Sequence, residues 1–190
     1  MIFNPLTSGV SLARPVAALR PGVRLIFMKT WLTKIGGGEF KICRLQDAPP
    51  GGEGALDNPE RIVQYLLPML AQSIAYRPDT ENLIVVHLST RRKPIGFEVI
   101  SNGTLDTLLV HPREVFKSAI VANSAAIVLA HNHPSGDPTP SDADVKVTRD
   151  LIRAGQLLKI EVLDHLILGR ATTAQPKGHS SLRELGCWAV

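Results

Sequence analysis

The stretch that decides the fold is LAHNHPSGDPTPSDADV, from Leu129 to Val145. It begins with the end of an apolar run, continues with two histidines one residue apart, and ends with a serine and two aspartates. The apolar run predicts a buried strand, and the three prolines and the glycine predict a loop. Ser141 is a typical N-cap residue for a helix that follows. The stretch therefore predicts a strand, a loop and a helix, with polar side chains gathered where they meet.

These polar side chains have the chemistry of a metal site. In a strand, residues i and i+2 point to the same face, so His131 and His133 aim at one point. Asp144 falls in the first turn of the next helix, where a carboxylate is favoured by the helix dipole. Taken singly, H-x-H occurs by chance and S-x-x-D is a capping signal. Together they predict a zinc site with two imidazoles, one carboxylate and an open position, the pattern of catalytic zinc.

The spacing H-x-H-x7-S-x2-D resembles the JAMM motif of MPN-domain metalloproteases. The wider string GTLDTLLVHPREVFKSAIVANSAAIVLAHNHPSGDPTPSDADVKVTRDLIRAGQLLKIEVLDHLILG is similar to the bacterial RadC-like branch, over about Asn58 to Gly186. The resemblance implies an α/β fold, a mixed sheet flanked by helices in a cytidine-deaminase-like sandwich. It also implies that Ser141 stabilises the oxyanion of a tetrahedral intermediate and that an upstream glutamate is the general base.

Two glutamates compete for the role of that base. Glu81 opens the first predicted hairpin strand, and the 49 residues between it and His131 match the spacing of catalytic JAMM proteins. Glu98 lies on the next predicted strand, where alternation with a solvent-facing side explains it without catalysis. We therefore assign the base to Glu81 and keep Glu98 as its rival.

The rest of the chain predicts alternating helices and strands. Asn58-Pro59-Glu60 is a helix start, and this helix should run to about Tyr76 with a bend near Pro68. We expect a hairpin from NLIVVHLST and IGFEVIS and a further strand at TLDTLLV. A second helix should begin at Pro112, a third should run from Ser141 to about Ala154, and a last strand region is predicted at IEVLDHLILG. His87 and His165 are expected to be packed in strands, and His111 to belong to a helix entry.

The first 57 residues differ from the rest in composition. Residues 1–50 carry seven Lys or Arg against two acidic residues, a net charge of about +5. Since the whole chain has a net charge of +4, the remaining residues carry about −1. APPGGEGALDN reads as a linker. We expect residues 1–57 to be a weakly ordered, basic and family-atypical arm, with Met28 as an alternative start, and residues 58–190 to be the RadC-like JAB/MPN domain. A basic arm also allows weak DNA contact.

The sequence therefore predicts a cytoplasmic zinc-dependent hydrolase of peptide or isopeptide bonds, acting on a peptide or protein substrate. The absence of a long apolar run argues against a membrane span, and the two separated cysteines fit a reducing compartment. The alternative is a non-catalytic DNA repair or accessory factor of the RadC type. A non-haem iron oxygenase also uses two histidines and a carboxylate, but the helical segments argue against its usual all-β setting. The oligomeric state stays open.

Overall fold

The computed structural model describes residues 28–35, 39–47, 54–103, 110–173 and 175–188. Within these ranges the strands are β1 Met28–Ile35, β2 Glu39–Asp47, β3 Asn82–Leu88, β4 Pro94–Asn102, β5 Ala126–Asn132, β6 Glu161–Leu168 and β7 His179–Ser181. The helices are α1 Pro59–Leu70, α2 Pro112–Val121 and α3 Asp142–Leu158.

The described strands form one mixed sheet in the order β1-β2-β4-β3-β5-β6-β7. The β5–β6 pair is parallel and the other pairs are antiparallel. The parallel pair needs a crossover, which α3 provides between the two strands. The predicted α/β class, a mixed sheet flanked by helices, is confirmed.

Side chains on the central strands alternate between two cores. On β3, Ile84 and Val86 pack into the cluster that contains Leu66 of α1. Leu83 and Val85 point the other way, into the cluster shared with α2 and α3. Because both faces of β3 and β5 are covered, every residue of these two strands is buried. The polar residues at their ends are therefore held by a rigid frame.

Helix α1 begins as predicted and ends earlier. The Asn58 side chain accepts the Arg61 N–H at the N-cap, and Pro59 occupies the first turn. The predicted end near Tyr76 was wrong, since the helix stops at Leu70 and continues only as turns. The apolar face ends there, because Ile74 is fully out in solvent at 85% exposure.

Helix α3 is longer than predicted, running to Leu158 instead of about Ala154. The predicted end lies just before Gly155, but this glycine lies inside the helix at a close approach. A Cβ at Gly155 would lie 2.5 Å from the Ile160 carbonyl oxygen and 3.2 Å from the ring of Phe116. The helix ends instead at Lys159, whose φ of 57° is left-handed.

Two parts of the sheet were not predicted, and one predicted strand lies mostly outside the residues that the structure describes. Strands β1 and β2 pair along their length within the segment that we expected to be weakly ordered, so the sequence analysis missed this hairpin. Strand β7 was also missed, because it is only three residues long and pairs with the end of β6. Most of the predicted strand TLDTLLV lies outside the described residues. No helix in the described ranges combines the length and apolar character needed to cross a membrane.

Candidate metal centre

Strand pairing brings the first site residues together. Leu83 of β3 lies opposite His131 of β5 in an antiparallel register. Continuing that register by two residues places Glu81 opposite His133, and Glu81 Oε1 lies 3.7 Å from His133 Nε2. Both histidines follow from the sequence pattern, since the strand persists through Asn132. His131 is fully buried, whereas the side chains of His133 and Glu81 are 16% and 20% exposed.

The start of α3 presents the third candidate ligand. Ser141 is the N-cap, and its side chain and that of Asp144 form the predicted reciprocal capping box. Asp144 Oδ2 accepts hydrogen bonds from the Ser141 N–H at 2.7 Å and from the Ser141 hydroxyl at 2.6 Å. The other oxygen, Oδ1, lies 3.2 Å from His131 Nε2. The cap thus engages Oδ2, which also lies 3.7 Å from His133 Nε2, and directs Oδ1 toward His131.

The donor atoms suit a cation. His133 Nδ1 lies 2.7 Å from the Asp137 carbonyl oxygen, which only accepts, so Nδ1 carries the proton and Nε2 has a free lone pair. His133 Nε2 is 3.0 Å from His131 Nε2. Ligands about 2.0–2.2 Å from one tetrahedral ion are roughly 3.3 Å apart. The observed spacings of 3.0 and 3.2 Å fit ligands of one ion with this geometry.

Glu81 joins the histidines in one potential ligand group. One ligand atom from each of Glu81, His131 and His133 lies within 4.8 Å of the others, the spacing of a possible metal-binding triad. Asp144 approaches the same two histidines from α3, at 3.2 and 3.7 Å. The structure therefore brings all five predicted site residues, including Ser141, to one end of β5. Which carboxylate ligates and which acts as base stays a prediction.

Two asparagines tie together the turn before β3 and the end of β5. Asn132 Oδ1 accepts from the backbone N–H and the side-chain amide of Asn82, at 3.0 and 2.9 Å. The Asn132 amide donates to the Thr80 carbonyl at 2.9 Å, and the Asn82 amide donates to Arg77 and Thr80 carbonyls at 2.7 Å. Both asparagines are buried. They hold the turn that carries Glu81 against the strand that carries the histidines.

The surroundings keep the candidate ligands in their binding forms. The Asp144 carboxylate accepts two hydrogen bonds from Ser141, which favour its ionised form. Asp144 is therefore ionised. Behind the site, burial and the neighbouring His131 lower the pKa of His165 well below its ordinary value, so His165 is neutral.

The remaining candidates lie elsewhere. Glu98 pairs with Val85 in the middle of the sheet, away from the strand ends that carry the site. His87 is buried with Nδ1 3.1 Å from Ser124 Oγ, which confirms the expectation of a packed histidine. His111 caps α2 by accepting the Arg113 N–H, as expected of a helix entry.

The sequence analysis missed three buried side chains beside the site: Asn82, Asn132 and Thr148. The sequence does indicate that Thr148 lies near the site, because it follows Asp144 by four residues and the two therefore share one face of a helix. The asparagines are recognisable only once the register of β3 against β5 is known, since they are 50 residues apart.

Comparison with known proteins agrees with this architecture. A family model described as the RadC-like JAB domain matches residues 56–187. A UPF0758 protein of Symbiobacterium thermophilum is 41% identical over 160 residues, covering 80% of this chain and 64% of its own length. A UPF0758 protein of Caldanaerobacter subterraneus is 44% identical over 138 residues, covering 72% of this chain and 57% of its own. One from Moorella thermoacetica is 57% identical over 91 residues, which is 48% of this chain and 40% of that protein. The chain thus spans less than two thirds of each of these relatives.

Proposed function

This chain belongs to the RadC-like JAB domain family, and from that premise and the geometry of the site we propose that it is a zinc-dependent hydrolase of peptide or isopeptide bonds. The observation that carries the proposal is the convergence of three donor atoms. Nε2 of His131 lies 3.0 Å from Nε2 of His133 and 3.2 Å from Oδ1 of Asp144. Two nitrogens and one oxygen form a ligand set that zinc accepts while leaving a position for water or substrate.

In this proposal His131, His133 and Asp144 hold the ion. A zinc ion bound there would supply a Lewis acid and would lower the pKa of a coordinated water. The ionised state of Asp144 and the free lone pair of His133 Nε2 support the assignment. The buried position of His131 favours a fixed site, because a buried ring in a close-packed frame has few alternative rotamers.

Glu81 is proposed as the general base. Its carboxylate lies at the rim of the site, with Oε1 3.7 Å from His133 Nε2, so it would be placed to take a proton from a water held beside the ion while remaining accessible to substrate. The carboxylate takes a proton from the attacking water as the water oxygen bonds to the amide carbon. It then gives the proton to the leaving nitrogen as the carbon–nitrogen bond breaks. The products are a carboxylic acid and an amine, and Glu81 returns to its ionised state.

Ser141 is proposed to stabilise the oxyanion. In the structure its hydroxyl proton is donated to Asp144 Oδ2 at 2.6 Å. The hydroxyl must therefore exchange this acceptor for the developing oxyanion during the reaction. The backbone N–H of Ser141 keeps its own bond to the same Asp144 oxygen, so Asp144 stays oriented while the hydroxyl rotates.

The proposal is tested with the full chain, purified and supplied with zinc. We expect about one zinc per chain, the stoichiometry of a mononuclear catalytic site. We also expect new amino termini to appear when the protein is incubated with a peptide library from digested cell extract, read by mass spectrometry. Glu81→Gln should keep zinc and lose cleavage by at least about 100-fold, because general-base catalysis contributes on the order of 100- to 10,000-fold.

Glu98→Gln is the matched control, since it makes the same chemical change on the neighbouring strand. It should leave cleavage nearly unchanged. If Glu98→Gln abolishes cleavage and Glu81→Gln does not, Glu98 is the base and the assignment is wrong. If the zinc-loaded chain cleaves nothing in libraries of linear and isopeptide-linked peptides, the hydrolase proposal fails and the metal serves another purpose.

A further inference from the structure

A chain of buried hydrogen bonds runs from the backbone of α3 to the far side of His131. Thr148 Oγ lies 2.6 Å from the Asp144 carbonyl oxygen and 2.6 Å from His165 Nδ1. The other nitrogen of His165, Nε2, lies 2.8 Å from His131 Nδ1. Thr148, His165 and His131 are each at most 1% exposed. No water competes for these groups, so each one is satisfied within the chain.

The direction of every bond in this chain follows from its first member. The Asp144 carbonyl has no proton to give, so the Thr148 hydroxyl donates to it. With its one proton used, the hydroxyl can only accept from His165, which places the proton of His165 on Nδ1. With its proton on Nδ1, the imidazole of His165 presents the lone pair of Nε2, which accepts from His131 Nδ1–H at 2.8 Å.

The consequence at the site is a lone pair on His131 Nε2. A neutral imidazole that carries its proton on Nδ1 has an unprotonated Nε2. That nitrogen faces His133 Nε2, which is also unprotonated because Nδ1 donates to the Asp137 carbonyl. Two lone pairs 3.0 Å apart beside a carboxylate oxygen repel each other unless a cation lies among them.

We propose that Thr148 and His165 are positioning residues that set the tautomer of His131 and thereby the metal affinity of the site. The inference rests on the proposed metal site and deepens it. His133 does not need such positioning residues, because the partner of its Nδ1 is the Asp137 backbone carbonyl, which can only accept a hydrogen bond. The partner of His131 is another imidazole, which can donate or accept through Nε2. The Thr148 hydroxyl therefore determines which of the two imidazoles donates in the hydrogen bond between His165 and His131.

The test compares Thr148→Val with Thr148→Ser in the full chain. Valine has the shape of threonine without its hydroxyl, so it frees His165 to take either tautomer, whereas serine keeps the hydroxyl. We expect Thr148→Val to weaken zinc binding roughly 10- to 100-fold, the usual cost of losing a partner of a metal-ligating histidine. Thr148→Ser should restore the affinity to within about threefold of the original chain, a difference of about 0.7 kcal/mol. Zinc affinity is measured by competition with a coloured chelator.

Ser118→Ala is the matched control for loss of a buried hydroxyl. Ser118 is fully buried on α2 and donates to the Val115 carbonyl, away from the site. This variant should bind zinc as the original chain does, even where its thermal stability is lower. A merely structural role for Thr148 would make Thr148→Val and Ser118→Ala alike in zinc affinity, and that result overturns the inference.

Histidine tautomers supply a second readout that does not depend on hydrolysis. Long-range proton–nitrogen spectra of the zinc-free chain should show His131 and His165 with protons on Nδ1, and Thr148→Val should shift both toward mixtures. Unchanged tautomers in Thr148→Val overturn the inference, even in a chain that binds zinc. Failure of the original chain to bind zinc defeats the proposed function instead, and the tautomer spectra still decide the positioning role. Thr148→Ala provides a second hydroxyl-free variant where the valine variant folds poorly.

Discussion

At the scale of single residues, His87 is a titratable group that the site does not use. It lies near the end of β3, fully buried, with Nδ1 beside the Ser124 hydroxyl. Burial lowers its pKa from 6.5 to about 4, because the charged ring would lose its hydration. The folded sheet therefore holds His87 in its neutral form.

This shift makes stability depend on pH. Between pH 6.5 and 4 the unfolded chain binds a proton at His87 that the folded chain excludes, so the free energy of unfolding falls as the pH falls. A shift of about 2.5 pKa units corresponds to about 3 kcal/mol, fully lost near pH 4. We expect His87→Leu to remove that part of the pH dependence, measured by denaturant unfolding at several pH values. Parallel pH curves for the two proteins would contradict a neutral buried His87.

At the scale of elements, the ends of β3 and β5 depend on the asparagine pair. Asn132→Ala leaves the buried backbone N–H of Asn82 without its acceptor, whereas the Asn82 side-chain amide keeps the Arg77 and Thr80 carbonyls. One unsatisfied buried group costs about 1–3 kcal/mol, so we expect a loss of at least about 1 kcal/mol in unfolding free energy. Hydrogen exchange at the Asn82 amide should also quicken, and cleavage should fall because the turn bearing Glu81 is released.

Asn58→Ala is the matched control for this prediction. It removes the N-cap of α1, which costs about 1 kcal/mol, and it leaves the Asn82–Asn132 contact intact. Asn82 exchange should then keep its original rate at conditions well below the unfolding transition. If both variants quicken Asn82 exchange equally, exchange proceeds through global unfolding and the pair has no local role.

The elements that the sequence predicts best are those whose signal is local. Strand β5 and the capping box of α3 follow from an apolar run and from S-x-x-D, and both are observed. The end of α3 was misplaced, because the role of Gly155 depends on Phe116 and Ile160, which no local pattern reveals. The same holds for the site. His131 and His133 are predictable from spacing, whereas Thr148 and His165 become partners only when α3 packs on β6.

At the scale of the whole molecule, charge is unevenly distributed along the chain. The first 50 residues hold seven basic and two acidic side chains, and part of this segment forms the β1–β2 hairpin at the edge of the sheet. Strand β2 joins β4 through only two residue pairs, Gln46 with Phe97 and Asp47 with Gly96. The end of β5 that carries the candidate metal site is separated from this edge by β3 and β4. A DNA contact made at this edge of the sheet would therefore lie apart from the proposed metal site.

We propose that such DNA contact is weak and purely electrostatic. Neutralising phosphates releases counterions, so the logarithm of the affinity falls linearly with the logarithm of the salt concentration, with a slope of about −0.9 per phosphate contact. Seven basic residues therefore limit the slope to about −6. The full chain with Arg14, Arg20 and Arg24 changed to Gln should have a slope smaller by about 3, as measured by fluorescence anisotropy with duplex DNA. Its zinc binding and cleavage should be unchanged.

Because an electrostatic contact carries no sequence information, duplexes of different sequence should bind alike. Tight binding that survives about 0.2 M salt and discriminates between DNA sequences or structures would instead favour a DNA repair or accessory role, since counterion release alone cannot produce it.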